Sequence, residues 1–482
     1  MHERGAESGR LHESQAAAAP TPRLRRPVLS ANLRASLAVT LTVFGTGCFA
    51  ERSFEMTPAD VHQVSPDYAA SSGSTREWLT ATHKKLAHLL PESSTTPMLT
   101  EDLVDDQGQP VDVFAHFNMK REDLQKVVRN FRGIRCTAQA AARDYFIEEP
   151  APQWDGFEDI FIPVSDKLSL GGRLGYARRD GKIADADCIV LMPGLFGDNG
   201  VLRTRDLAIF LRDAGYHVLG LEIRGHGQTE ARYPNAYVTF GVFESDELMA
   251  VSDWLEDQPH INRTGLVGFC WSSNVALLAA WYDHHAPDSE CIHPAIRPEL
   301  THASDRRRFR AGIIAFSPVL GWETLMDELD TPRSTIRTPI FAAIQQTIKD
   351  RMIRKNHPEK TGNLRNLIEY EYRHTGVPLP NGSPDGYPFI RLIPYHDEPW
   401  CDKLENARMP VLIVHGSDDP LAPSQDVATL ISLTDNPGVA AIILSSGGHV
   451  GFAHYCGVYY YNLVANFFSP TSGAAAHVKP AD

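Results

Sequence analysis

The segment 265–281 constrains the fold of this chain more than any other. It begins as an apolar strand, Gly-Leu-Val-Gly-Phe, passes through Cys270-Trp271-Ser272-Ser273-Asn274, and continues as a helix-like run, Val-Ala-Leu-Leu-Ala-Ala-Trp. A strand that turns into a helix without a loop holds its corner residue in strained backbone and needs small residues two positions to either side. With Cys270 at the corner, Gly268 and Ser272 meet that demand. With Ser272 at the corner, Asn274 would crowd the turn, and with Ser273 there, Trp271 would crowd it more. The sulfur of Cys270 is then expected at the carboxyl edge of a sheet, near the positive end of the following helix, where a thiolate is stabilised. On composition alone a buried structural cysteine is the commoner fate, so the wider pattern has to decide.

That pattern follows a fixed order. The apolar strand Cys188 to Met192 leads into Pro193-Gly194-Leu195-Phe196-Gly197-Asp198, a loop whose backbone N–H groups can turn inward to hold a developing oxyanion. A helical segment, Leu202 to Ala214, precedes the strand His217 to Glu222 and the turn Arg224-Gly225-His226-Gly227. Beyond the corner, the strand Val411 to Gly416 ends in Ser417-Asp418-Asp419-Pro420, and Ala440 to Leu444 ends in Ser445-Ser446-Gly447-Gly448-His449. Candidate nucleophile, acid and histidine thus follow strand ends in the chain order Cys, Asp, His.

Residues from about Phe157 to Phe468 resemble the α/β-hydrolase superfamily. The PGLFGD loop, RGHG and GxxDPLxP are most similar to YheT-like and ABHD-type carboxylesterases, and the cysteine corner resembles the nucleophile elbow of dienelactone hydrolases. The resemblance implies an α/β fold with a mostly parallel central sheet flanked by helices. It implies Cys270 as nucleophile, Asp419 as the acid and His449 as the base, with backbone N–H groups of Leu195 and Trp271 forming the oxyanion hole. Asp418 is the competing acid, but the Gly416-x-x-Asp419 spacing is the one these families use, so Asp418 is expected to face solvent. In this fold RGHG is usually a structural turn, so Arg224 and His226 stay outside the triad. The sequence departs from the pattern at Ser272 and Ser273, where glycines are usual, and at Pro193, where many members have His.

Such a triad implies acyl transfer. His449, oriented by Asp419, takes the Cys270 proton, the thiolate attacks a carbonyl, and water resolves the acyl-cysteine. The expected substrate is a small-molecule carboxylic ester, with lactones or thioesters as variants. The competing expectation is a catalytically silent member of the fold that binds a lipid or a protein partner. Retention of both Asp419 and His449 favours the enzyme, because a relic would lose acid and base as freely as the nucleophile. No cofactor is implied, and neither CxxC nor HExxH metal spacing occurs. The net charge of −14 argues against a nucleic-acid partner. Seven cysteines are too few and scattered for a dense disulfide framework, although a Cys291–Cys401 bridge is compatible with the sequence.

At the amino terminus, Arg23, Arg25, Arg26 and Arg34 precede an apolar run, Leu37 to Phe44, then Gly45-Thr46-Gly47-Cys48. Basic, apolar, small, then cysteine is the order of a bacterial lipoprotein signal, so 1–48 is assigned as a signal peptide with Cys48 as lipid-attachment site. The apolar run is too short to span a bilayer as a stable anchor. An exported, membrane-anchored protein is the expectation; a cytoplasmic one starting at Met56 is the alternative. Residues 49–152 form a linker and helical extension with amphipathic helices expected at Thr75 to Leu90 and Arg121 to Phe131 and a loop at Pro91 to Pro110. The hydrolase domain is placed at 153–470, opened by an antiparallel pair from Phe157 to Ala177. An insertion at 318–402 is expected to be a cap, with a helical run Thr335 to Asn356 and a loop-rich part Tyr370 to Trp400. A flexible tail, 471–482, completes the chain.

Overall fold

The computed structural model describes residues 56–57, 60–64, 69–91, 98–99, 132–141, 153–286, 288–302, 306–330, 338–378, 390–393, 403–468 and 479–480. Its centre is a sheet of eight principal strands: β1 Phe157–Ser165, β2 Leu168–Gly175, β3 Ala186–Met192, β4 His217–Glu222, β5 Ile261–Phe269, β6 Gly312–Phe316, β7 Val411–Gly416 and β8 Val439–Leu444. Their spatial order is β8-β7-β6-β5-β3-β4-β2-β1. The first two strands are antiparallel to each other, β2 is antiparallel to β4, and the remaining pairings are parallel. Beyond β8 the sheet gains an antiparallel pair of residues, Met98–Leu99, from the stretch expected to be loop.

Both faces of the parallel strands are buried, as a sheet covered by helices on each side requires. Cys188, Val190 and Met192 of β3 join the core on one face, and Ile189 and Leu191 join the core on the other. The same alternation splits Ile313 and Ala315 from Ile314 and Phe316 in β6. Each such apolar side chain removed from water contributes about 1.5–3 kcal/mol. The extension supplies α1, Thr75–Leu86, whose Ser74 cap accepts from the Glu77 N–H. A second, α2, spans 132–141. The body then contributes α3 Leu202–Asp213, α4 Gly227–Arg232, α5 Val242–Glu256 and α6 Trp271–Tyr282. All twelve residues of α6 are buried, as expected of a helix apolar on every side. The insertion supplies α7 Trp322–Asp330, α8 Thr338–Arg354 and α9 Leu364–Thr375, and α10 Ser424–Ser432 and α11 Phe452–Phe467 complete the body.

Several expectations change. Tyr370 lies inside α9, which Asn363 caps at one end and Gly376 closes in the left-handed region, so the loop-rich part cannot begin there. The expected helix Arg121 to Phe131 lies outside the described residues, whereas its successor, α2, has no counterpart in the sequence assignment. Lys479–Pro480, from the tail read as flexible, pair in parallel with His62–Gln63. Cys48, the whole signal segment and Cys401 also lie outside the described residues. Among the described residues no helix is long and apolar enough to cross a membrane.

The register brings the strand tips together. Met192 of β3 stands opposite Gly268 of β5, Phe269 opposite Phe316 of β6, and Gly416 of β7 opposite Leu444 of β8. Whatever follows each strand therefore emerges at one carboxyl edge, where ligands of open α/β sheets bind.

Candidate active site

Cys270 occupies the corner between β5 and α6 with φ 57° and ψ −127°, a conformation that non-glycine residues adopt only when their surroundings enforce it. Its N–H donates to Phe316 O at 2.9 Å, fixing the corner to β6. A Cβ at Gly268 would lie 2.5 Å from Ser272 O, so this close approach tolerates only glycine. The two serines in place of glycine act as tethers. Ser272 Oγ donates to Pro193 O, and Ser273 Oγ lies 2.8 Å from both Gly268 O and Phe316 O. Both hydroxyls are buried and turned into the protein, whereas Cys270 keeps partial exposure.

The tip of β7 delivers two adjacent carboxylates with different tasks. Asp419 Oδ2 accepts from His449 Nδ1 at 2.8 Å, and Oδ1 accepts from the Leu421 and Ala422 N–H groups at 2.8 and 3.0 Å. Asp418 corrects the expectation that it faces solvent. It is buried, with Oδ2 accepting from Ser446 Oγ at 2.6 Å and Oδ1 from the Gly448 N–H at 2.8 Å, so it ties the β7 tip to the loop that carries His449. Burial raises its carboxyl above the usual range, against these two donors. His415, which the sequence did not single out, ends β7 beside the acid: its Nε2 donates to Ala422 O at 3.0 Å and lies 3.7 Å from Asp419 Oδ2.

His449 couples to both partners. Its buried Nε2 makes no complete hydrogen bond, yet its interaction with Cys270 shifts both groups. Burial alone would raise the thiol, but the charge of His449 and the Trp271 N–H outweigh it and hold Cys270 below the ordinary thiol range. Burial alone would likewise lower the imidazole, but Asp419 and Cys270 raise it well above the usual histidine value. Asp419 is held low because His449, His415 and the Leu421 N–H overcome its burial. His449 thus favours the thiolate form of Cys270, and Asp419 and Cys270 favour the imidazolium form of His449.

The Trp271 N–H that supports the Cys270 sulfur opens α6, where backbone donors are unsatisfied within the helix. Opposite it, Gly194 packs so closely that a Cβ there would lie 3.1 Å from Cys270 Cβ. The Leu195 N–H has no hydrogen-bond partner among the described residues, whereas the next one is engaged: Phe196, at φ 56°, donates to His226 Nε2 at 2.9 Å. His226 Nδ1 in turn donates to Arg224 O at 2.8 Å, and its ring stacks on Trp271 with centroids 5.6 Å apart. Burial lowers His226 to about 4, so it stays neutral and can accept. The RGHG turn therefore fixes the loop that presents Leu195. The insertion reaches the same loop: the buried Arg351 of α8 lies over the Phe196 ring at 4.8 Å and bonds Glu371 of α9, Glu230 of α4 and Gly225 O.

The arrangement brings Cys270, Asp419 and His449 together, with the Trp271 N–H at the sulfur and Gly194, the residue before Leu195, packed against Cys270. A family profile described as alpha/beta hydrolase fold matches residues 187–453, more than half of the sequence. The chain belongs to the alpha/beta hydrolase fold family. No curated protein matches it. Among solved structures it is similar to the Pyrococcus furiosus esterase Pf2001, at 17% identity over 66% of this chain and 97% of that one, with a TM-score of 0.41. It is also similar to the alpha/beta hydrolase GrgF from Penicillium sp. sh18, at 17% identity over 64% and 97% of the two chains, with a TM-score of 0.39. A third is a dipeptidyl peptidase 4 from Porphyromonas gingivalis, at 17% identity over 65% of this chain and 35% of that one, with a TM-score of 0.40.

Proposed function

We propose that this hydrolase-family protein cleaves small-molecule carboxylic esters, with lactones and thioesters as variants, through an acyl-cysteine on Cys270. What supports this reading is the hydrogen bond from His449 Nδ1 to Asp419 Oδ2, together with the electrostatic influence of His449 on a partly exposed Cys270 at a strained corner. His449 acts as the base and Asp419 fixes its tautomer by accepting from Nδ1. Attack by the thiolate on the acyl carbon forms a C–S bond and a tetrahedral oxyanion, which the Leu195 and Trp271 N–H groups hold. Collapse breaks the C–O bond while His449 gives its proton to the leaving alkoxide, and His449 then takes a proton from the water that releases the acid. A single oxyanion donor of this kind contributes about 3–4 kcal/mol.

The insertion at 318–402 would act as a cap that shapes the acyl pocket, since its α8 and α9 already reach the oxyanion loop through Arg351 and Glu371. Export and lipid attachment at Cys48 rest on the order of residues 23–48 alone. Expression in a diderm bacterium should give a membrane-fraction protein that Cys48→Ala releases, and unprocessed wild type in the cytosol would refute the anchor.

A p-nitrophenyl ester series tests the activity. Cys270→Ala should abolish turnover, whereas Ser272→Ala should lose only part of it, because that hydroxyl braces Pro193 and does not face the substrate. Absence of turnover on every ester, lactone and thioester offered, with the fold intact, would favour the silent-fold reading.

A further inference from the structure

The mechanism above uses residues from the family-matched body, but the loop carrying His449 is held from outside it. Helix α2, at 132–141, precedes residue 187, where the family match begins, and it packs on the tips of β7 and β8. Thr137 Oγ1 accepts from the His449 N–H at 2.8 Å and donates to Gly133 O, one turn back, at 2.7 Å. Thr137 and the His449 backbone are both buried, so that N–H has no solvent to fall back on. Gly133 lies so near Asp418 that a Cβ there would collide with the Asp418 carbonyl. Gly448, at φ 54°, faces Gly133 O and Thr137 Oγ1 just as closely. The helix thus touches the acid loop at Asp418 and the histidine loop at both Gly448 and His449.

Other clusters do not carry as far. The paired rings of His284 and His285 bring no third ligand, since among the described residues no group of three metal-ligating side chains occurs. The Arg351 cluster is closed by its own carboxylates.

We infer that α2 is a built-in clamp on the catalytic loops, and that Thr137 is a positioning residue that sets the His449 ring against Cys270. This rests on the proposed Cys-His-Asp site, but its consequence can be read without ester turnover. After β8 the chain runs through Gly447 and Gly448, both with positive φ, before reaching His449. Glycines leave that segment broad conformational freedom. Asp418 at the Gly448 N–H and the Thr137 hydroxyl at the His449 N–H restrict it. Val450, at φ 55°, donates to Ser317 Oγ at 3.2 Å and pins the other side of the histidine. Loss of the Thr137 acceptor would let the ring drift from the sulfur while Asp419, held by Leu421 and Ala422, stays in place.

The experiment compares Thr137→Val, of equal shape without the acceptor, with Thr137→Ser, which keeps it. The readout is the rate of Cys270 alkylation by iodoacetamide against pH, with kcat and KM on the best p-nitrophenyl ester measured alongside. Thr137→Val should slow alkylation at neutral pH roughly tenfold and move its midpoint upward, lowering kcat by a similar factor with KM little changed, and Thr137→Ser should restore both. If Thr137→Val does not fold, Thr137→Ala against Thr137→Ser makes the same comparison. A lowered melting temperature with an unchanged alkylation profile would overturn the proposal. If Cys270→Ala keeps wild-type turnover, the nucleophile assignment fails instead, and the alkylation profile still reports on the clamp.

Discussion

The corner at Cys270 and the loop at His449 lie against each other yet are built in opposite ways. The corner is local. Its strand, its helix and its steric relief at Gly268 and Ser272 form one continuous segment, Ile261 to Tyr282, and its tethers come from the adjoining strands at Pro193 and Phe316. The histidine loop is assembled from a distance. Its backbone is held by Thr137, 312 residues earlier, by Ser317, 133 residues earlier, and by Asp418, 30 residues earlier. A side chain whose geometry comes from local backbone strain is hard to misplace, whereas one hung from remote hydrogen bonds can be tuned or lost through them.

This contrast is broken most directly at the triad. Asp419→Asn keeps the shape but reverses the hydrogen bond to His449 Nδ1, and by analogy with other triads kcat should fall about 10⁴-fold. Asp418→Asn, next to it, should cost far less, about tenfold, because Asp418 holds backbone and a neighbouring hydroxyl only. Steady-state kinetics on one ester distinguish the two, and equal losses would mean that the acids share the task. The next effect is on protonation. In the wild type the thiolate persists down to a pH below the ordinary thiol range and the imidazolium up to a pH above the usual histidine value. Alkylation should therefore set in at a lower pH than for an ordinary thiol. In His449→Ala its midpoint should move up toward about 8.5, the value of a free cysteine. A pH profile identical in the two proteins would remove the ion pair from the account.

Smaller effects sharpen the oxyanion side. His226→Ala removes the acceptor of the Phe196 N–H and the ring stacked on Trp271, so kcat should fall by about one to two orders of magnitude with KM nearly constant. Arg351→Leu leaves Glu371 buried without its partner. It should destabilise the protein by about 3–5 kcal/mol, read from urea unfolding, before any change in chain-length preference is considered. Replacement of the 318–402 insertion by a short linker should flatten the acyl-chain profile, and an unchanged profile in a folded variant would count against a cap.

What could be read from the sequence follows the same division. Apolar strands with glycine or acid at their tips marked the succession of strands along the chain, the corner at Cys270, and the candidates Asp419 and His449, because each signal lies within a few consecutive residues. Asp418 was misjudged because two adjacent carboxylates on a turn look alike in sequence, and only the approach of Ser446 and Gly448 buries one of them. His415 resembled an ordinary strand residue, since its neighbour Asp419 is reached only after the turn closes. Thr137 and Arg351 carried no local signal, because their partners come from other parts of the chain. One cue was present in RGHG, whose histidine was set aside as a turn residue although a neutral imidazole beside a Gly-rich loop is a natural acceptor for that loop's N–H groups.

The central claim is that Cys270 carries the acyl group. Rapid quench of the wild type with a slowly released p-nitrophenyl ester, followed by mass spectrometry of the peptide containing Cys270, Ser272 and Ser273, tests it most directly. The account predicts an acyl mass increment on Cys270 that forms faster than it is released and is absent from Cys270→Ala. An adduct on Ser272 or Ser273, or wild-type turnover in Cys270→Ala, would contradict it.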